Sequence, residues 1–438
     1  MIKEFKNYAK ELLNIALPII MGNLGFILIG AGDVFIAGRH STDTLASISI
    51  ATAIINVIFM IGVGLLGSIS PILSNKRGEK TQAKRYFFPT IRFSLIISAI
   101  TSIITLAFVP LIDVLNFEQH LVSDIKIYMI ISAFSTFGMY LYNALKEYLQ
   151  AFEVVFLPNL VTVICVFLNL ILNAIFVFGL GKIPSLGVIG LAIASFLVRY
   201  IMGFSLLIYC LLKLRLKNYV DKNYYKTILK IGLPISLAVM VEFIAFNSAA
   251  IIMGRISGIY AAAQNLICIM TTISFMIPLA ISNAIAVKVG FANGARNLYD
   301  LKKYSQIGIL MSVGFMAFSA IIFASCPHFL VSLFTNDTNL IEICVPIIYI
   351  VAMFQICDGL QVSLGGVFKG IKETKIVLIL NSISYWIVYF PLGFYFAFKL
   401  GLNLQGFWYG LFASSVILST TLLIILIKRL KNHTFNNA

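Results

Sequence analysis

Long apolar runs separated by short polar, basic connections dominate this chain. A helix needs about 20 apolar residues to cross the hydrocarbon of a bilayer. Twelve runs meet that length: 11–37, 44–74, 88–112, 122–148, 157–180, 186–212, 228–254, 258–287, 304–334, 341–368, 375–398 and 404–427. Several are longer than a span requires, which implies tilt or extension past the membrane. The opening "MIKEFKNYAKELLNIALPII" reads as a basic amphipathic lead-in to a full span rather than as a cleaved signal segment.

Composition agrees with the pattern. The chain is 60% hydrophobic and 11% charged, whereas a soluble domain is roughly a quarter charged. The expected class is an all-α polytopic membrane protein. Its net charge of +15 is carried by the connections. With the N-terminus placed in the cytoplasm, 25 of the 32 Lys and Arg fall on the inward side, five (Arg39, Lys126, Lys182, Arg255, Lys399) on the outward side, and Arg92 and Arg199 within spans. The inward set includes Lys146, Arg215, Lys217 and Lys288. This positive-inside bias puts both termini in the cytoplasm of an integral plasma membrane protein, with a bacterial inner membrane expected. It also assigns the basic charge to anionic lipid, so no nucleic-acid partner is needed.

The chain repeats itself. "IALPIIMGNLGFILIGAGDVFIAGR" from Ile15 and "IGLPISLAVMVEFIAFNSAAIIMGR" from Ile231 match at 7 of 25 ungapped positions, an offset of 216 residues that also pairs Gly78 with Gly294. Two halves of six spans enter the membrane in the same orientation. The expected architecture is two pseudo-symmetric six-helix lobes around a central cavity. The N-lobe covers 1–212, a basic linker 213–227 and the C-lobe 228–438.

Three carboxylates interrupt the spans: Asp33, Glu242 and Asp358. A charged side chain inside a bilayer costs at least a few kcal/mol, so intramembrane acids mark ion or substrate paths more often than scaffold. The offset maps Asp33 onto Ala249 and Glu242 onto Phe26, so the acids are not part of the duplicated framework. Gln355 and Gln361 flank Asp358 on a shared helical face. Thr162, Asn169 and Asn173 form a stripe in the fifth span. A carboxylate among amides can hold Na⁺ or a proton, or face a cationic organic substrate. Gly30 and Gly32 beside Asp33 allow close helix approach or local unwinding. Arg199, deep in the sixth span, either pairs with an acid or extends its stem to the interface. Phe243, Phe246 and Phe354 near the acids could contact flat cations.

The six cysteines are scattered, without a C-x-x-C or a Cys/His cluster, and read as small buried hydrophobes. No G-x-x-x-x-G-K-[ST] occurs and the loops are too short for an ATPase domain. No cofactor and no enzymatic activity are expected, and energy must come from an ion gradient or a partner.

Several of these stretches resemble one family. Twelve spans in two lobes, Leu-Pro openings in spans one and seven, Asp33 in "GDVFIAG", "AAAQNL" at 261–266 and "FQICDGLQVSLGGVFKGIKETK" at 354–375 look like the multidrug and toxic compound extrusion (MATE) transporters. The resemblance covers the whole chain. It implies exchange of Na⁺ or H⁺ for organic cations, with Asp33, Asn169 and Asn173 as one coupling site. Glu242 and Asp358, matching the NorM-like branch, imply a second. Na⁺ is a candidate ion at Glu242, Asp358 or Asp33, while Gln264, Asn265, Gln355 and Gln361 would line the substrate cavity. The family's Gly-Asp-Thr loop signature survives partly as "KGIKET" (369–374), but the matching place after the fourth span, "QAFEVVFLP", has lost it. That puts the symmetry of these two loops in doubt.

The leading expectation is a monomeric secondary antiporter that exports organic cations and drugs by alternating access. Its partners would be Na⁺ or H⁺ and the surrounding lipid. The alternative is a lipid-linked precursor flippase of a related superfamily branch. That activity needs a basic cavity, and here Arg199 is the only deep cation against three acids. A channel or non-transporting receptor is a third reading, which the duplicated lobes disfavour.

Overall fold

The computed structural model describes residues 2–115, 117–179, 184–214 and 219–431. Lys182, Arg215 and Lys217 lie outside the described residues. Twelve helices are long and apolar enough to cross a membrane. They are α1 (Lys3–His40), α2 (Thr42–Gly78), α3 (Ala83–Asp113), α4 (Gln119–Ala151), α5 (Phe156–Phe178), α6 (Gly187–Lys213), α7 (Lys222–Gly254), α8 (Gly258–Gly294), α9 (Leu298–Ser325), α10 (Thr338–Gly370), α11 (Thr374–Lys399) and α12 (Asn403–Lys431). No strand occurs among the described residues.

Local chemistry sets the boundaries. Side chains of Ser41, Asn297 and Asp337 accept backbone N–H groups at the starts of α2, α9 and α10, meeting donors that have no partner within the helix. The ninth apolar run divides instead of continuing to 334. Pro327 ends α9 and opens a short helix, Pro327–Ser332, because proline cannot carry the preceding helix through itself. α11 is irregular: its Ile383–Tyr389 and Tyr395–Lys399 stretches are wound as π-helix.

The chain forms two compact units. One comprises Pro18–Leu73 and Thr81–Ser236; the other Met1–Leu17, Ser74–Lys80 and Leu237–Ala438. In the first, α4 is central, packing on α2, α3 and α6, with α5 against α6. In the second, α10 is central, packing on α8, α9 and α12, with α11 against α12. Helix for helix, this is one packing plan used twice, so the sequence repeat is a structural repeat. Its register is visible in two glycines one offset apart. A Cβ on Gly190 would lie 2.5 Å from the Phe176 carbonyl oxygen, and one on Gly406 would lie 2.6 Å from Ala397 Cα. Each lets its helix touch the backbone of the one before it.

The lead-in segments sit in an arrangement that periodicity does not show. Residues 2–17 belong with the second half's helices, and the start of α7 with the first half's. Tyr8 donates to Asp300 Oδ1 at 2.6 Å and meets the Tyr304 ring edge-on at 4.8 Å. Its counterpart one offset on, Tyr224, shares a 2.8 Å hydrogen bond with Thr90 and packs on Tyr86. Lys288, an expected loop residue, is instead buried in α8 and paired with Glu11 at 2.9 Å. Lys146 is likewise buried in α4, its ammonium 5.5 Å from the Phe26 ring centre. Arg199 is therefore not the only deep cation.

The doubt over the two loops is resolved. After α4, Val154 N–H donates to Leu149 O at 3.0 Å, with Glu153 at φ 64. After α10, Glu373 N–H donates to Phe368 O at 2.9 Å, with Lys372 at φ 63. Both are the same six-residue helix-ending turn with a left-handed residue. The turn persists without its usual glycine because the backbone bonds define it.

Candidate functional site

Asp33 sits on α1, half-buried, and is held from two helices. Asn173 Nδ2 on α5 donates to Oδ1 at 2.6 Å, and Ser195 Oγ on α6 donates to Oδ2 at 3.1 Å. The same Asn173 Nδ2 reaches Asn169 Oδ1 at 3.1 Å, and both asparagines are fully buried. The predicted stripe is thus assembled around the acid, four residues apart on one helix face. Thr162, lower on that stripe, is bonded instead to Tyr142 and the Pro158 carbonyl. Ser195 was not legible in advance: a lone serine in an apolar helix carries no pattern. α1 stays helical past Asp33, so no unwinding occurs. Gly32 supports close approach, since a Cβ there would lie 2.8 Å from Leu170 Cδ2, whereas Gly30 faces open space.

Arg199 does not extend to an interface. Its Nη1 donates to Ser135 Oγ at 2.5 Å and its guanidinium lies 5.5 Å from the Phe59 ring centre. It is one helical turn from Ser195, within electrostatic range of Asp33 and Tyr128.

The second cluster draws on five helices. Tyr385 on α11 donates to Glu242 Oε1 on α7 at 3.2 Å and accepts from Gln361 Nε2 on α10 at 3.2 Å. Asp358, buried on α10, lies in electrostatic range of both Glu242 and Tyr385. Gln264 on α8 accepts from the Trp408 indole on α12 at 2.8 Å and donates to the Phe246 carbonyl at 3.3 Å. Phe246 meets Phe354, Tyr385 and Trp408 at centroid separations of 5.9, 6.4 and 6.3 Å. An aromatic wall therefore joins Glu242 to Gln264. Asn265, next in the chain, is exposed. Gln355 is buried with both amide atoms unpartnered, and Gln361 keeps an unpartnered Oε1. Sequence patterning identified Glu242, Asp358 and Gln361 but missed their hub, because Tyr385 is one of 19 tyrosines. Its place in a π-wound stretch, a feature frequent at functional sites, marks it only in the structure. No group of three or more His, Cys, Asp or Glu able to hold a metal occurs among the described residues. Any ion here would be bound by one or two carboxylates with hydroxyl and amide oxygens.

Duplicated six-helix units with acids held inside membrane-length helices define an integral membrane protein of the transporter class. The chain belongs to the MatE family, whose profile matches residues 18–175 and 234–395. It is similar to a probable multidrug resistance protein NorM of Mesorhizobium japonicum, 28% identical over 95% of this chain and 93% of the relative. A Bacillus subtilis protein of the same name is 26% identical, covering 92% of each chain. Among solved structures, a variant of the Vibrio cholerae MATE transporter VcmN superposes with a TM-score of 0.90 at 19% identity over 99% of both chains. The eukaryotic MATE transporter AtDTX14 gives 0.87 at 18% identity over 98% of both. These structures share the fold.

Proposed function

We propose that this protein is a secondary active antiporter that exports organic cations, drugs among them, in exchange for Na⁺ or H⁺. In this reading both termini are cytoplasmic, the protein resides in a bacterial inner membrane and it works as a monomer. The observation that carries the reading is the placement of the three intramembrane acids. Each is built into a polar cluster in a chain whose relatives are named multidrug resistance proteins. Intramembrane acids of this kind mark places where a charge is taken up and released.

Asp33 with Asn169 and Asn173 would form one coupling site, Glu242 with Asp358 the other. A cation binding to either changes the charge of the site. Access can then alternate, because ion and organic cation compete for the same carboxylates. Phe246, Phe354 and Trp408 supply faces for a flat cation beside Glu242, and Gln264, Asn265, Gln355 and Gln361 supply polar contacts. A lipid-pyrophosphate flippase is less well supported. The Arg199 guanidinium is engaged by Ser135 and Phe59, and Lys288 by Glu11.

The test is ethidium efflux by cells expressing Asp33→Asn, Glu242→Gln and Asp358→Asn at matched levels. Loss of efflux in these variants supports the assignment. Full efflux in all three would sink it.

A further inference from the structure

We propose that Arg199 is a built-in counter-cation for Asp33 that excludes alkali ions from this carboxylate, confining Na⁺ binding to the Glu242–Asp358 cluster. The inference rests on the antiport reading only in calling these acids ion sites.

A guanidinium stays charged in proteins, so it cannot escape burial by losing a proton. Within the membrane it must be compensated locally. Among the described residues, the hydroxyl of Ser135 bonds it at 2.5 Å and the face of Phe59 lies 5.5 Å away. The charged and titratable groups in electrostatic range are Asp33 on α1 and Tyr128 and Tyr140 on α4. Of these, only the carboxylate can carry a negative charge at neutral pH. Ser195 fixes the geometry. Four residues before Arg199 on the same face of α6, it donates to Asp33 Oδ2, so the acid is held one helical turn from the residue that carries the guanidinium.

Asp33 is then already provided for, with a donor on each oxygen and a cation nearby. A sodium ion arriving there would make a second positive charge in a poorly screened place. Held within about 10 Å of the guanidinium at an effective dielectric near 20, it would bind roughly 15-fold more weakly than beside an isolated carboxylate. The neutral amides of Asn169 and Asn173 add no negative charge to offset this. The second cluster has the opposite balance: two carboxylates, Glu242 and Asp358, in electrostatic range of each other. One internal arginine thus makes two acid sites of the same chain unequal.

The experiment uses the purified full-length protein in detergent. Thermal unfolding is followed in NaCl and in choline chloride at equal ionic strength. The starting protein carries Glu242→Gln and Asp358→Asn, which leaves Asp33 as the remaining mid-span acid. With Arg199 intact it should show no Na⁺-specific stabilisation. Adding Arg199→Met should create one, Asp33→Asn should abolish it, and Arg199→Lys, which keeps the charge, should not create it. Arg199→Gln drops the charge but can still bond Ser135, and serves if the methionine variant does not fold. Equal Na⁺ dependence with and without the arginine charge, or none in either, would overturn the proposal. This readout needs no transport, so failure of dye efflux would count against the antiport reading and leave this result standing.

Discussion

Replacing Gly190 by alanine adds one methyl where α6 leaves its first turn and meets α5. That methyl carbon would sit 2.5 Å from the Phe176 carbonyl oxygen, about 0.9 Å short of the 3.4 Å at which ordinary contact begins. The obstructing atoms are backbone, so no rotamer can relieve the clash and the helices must separate. Overpacking of this kind costs about 1–3 kcal/mol. The displacement also reaches Asp33, because Asn173 lies one turn before Phe176 on α5 while Ser195 lies on α6. If the whole 0.9 Å is transmitted, the 2.6 Å Asn173–Asp33 bond stretches to about 3.5 Å, past the useful range. Losing a hydrogen bond to a charged group is worth about 1.5–3 kcal/mol, so ethidium efflux should fall roughly ten-fold or more with a lowered unfolding temperature. The control is Gly30→Ala, closer to Asp33 in sequence but facing open space; it should leave efflux unchanged and add up to about 1 kcal/mol of helix propensity. Unchanged efflux and stability in Gly190→Ala would refute the claim that α5–α6 contact sets the Asp33 geometry.

Gly406→Ala, one repeat on, should likewise destabilise and weaken efflux by pushing α11 and its Tyr385 off α12, read by the same two assays. Tyr385→Phe removes the hydroxyl shared by Glu242 and Gln361; a stability loss of about 1–3 kcal/mol is expected in detergent thermal unfolding, and no loss would mean the bridge is not formed. Lys80→Gly should raise stability by about 1 kcal/mol, since Lys80 occupies a left-handed conformation at φ 55 that costs a side-chain-bearing residue about that much. Burial holds the Lys372 ammonium below the usual lysine range, with Glu79 at 3.7 Å offsetting part of it. The unfolded chain therefore binds this proton more tightly, and the associated penalty fades as pH rises through the alkaline range between the two values. Lys372→Met should flatten that part of the stability–pH curve; an unchanged slope would contradict it.

Much of the fold was legible because membrane spans are written in length and apolarity, and the repeat in residues such as Leu17-Pro18 and Leu233-Pro234. The acids were legible for the same reason, as rare charges against an apolar ground. What was not legible depends on partners rather than on pattern. Tyr8 and Tyr224 are repeat equivalents, yet nothing in their spacing says that each lead-in packs with the other half's helices. Glu153 carries a left-handed turn without glycine, because backbone hydrogen bonds across six residues define that turn whatever the side chain. Lys146 and Lys288 sit near helix ends, where loop and buried positions look alike in a hydropathy trace. Ser195 and Tyr385 complete the two acid clusters from helices whose own sequences give no sign of it.

If the three intramembrane acids couple an ion gradient to export of organic cations, imposing that gradient must move the cargo. The decisive measurement is dye movement in inverted membrane vesicles with Na⁺ and pH gradients imposed separately. At least one gradient should drive ethidium transport by the unmodified protein. Asp33→Asn, Glu242→Gln or Asp358→Asn should abolish or alter the response to that gradient. Ethidium transport that ignores both gradients, or that persists unchanged in all three variants, would contradict this coupling.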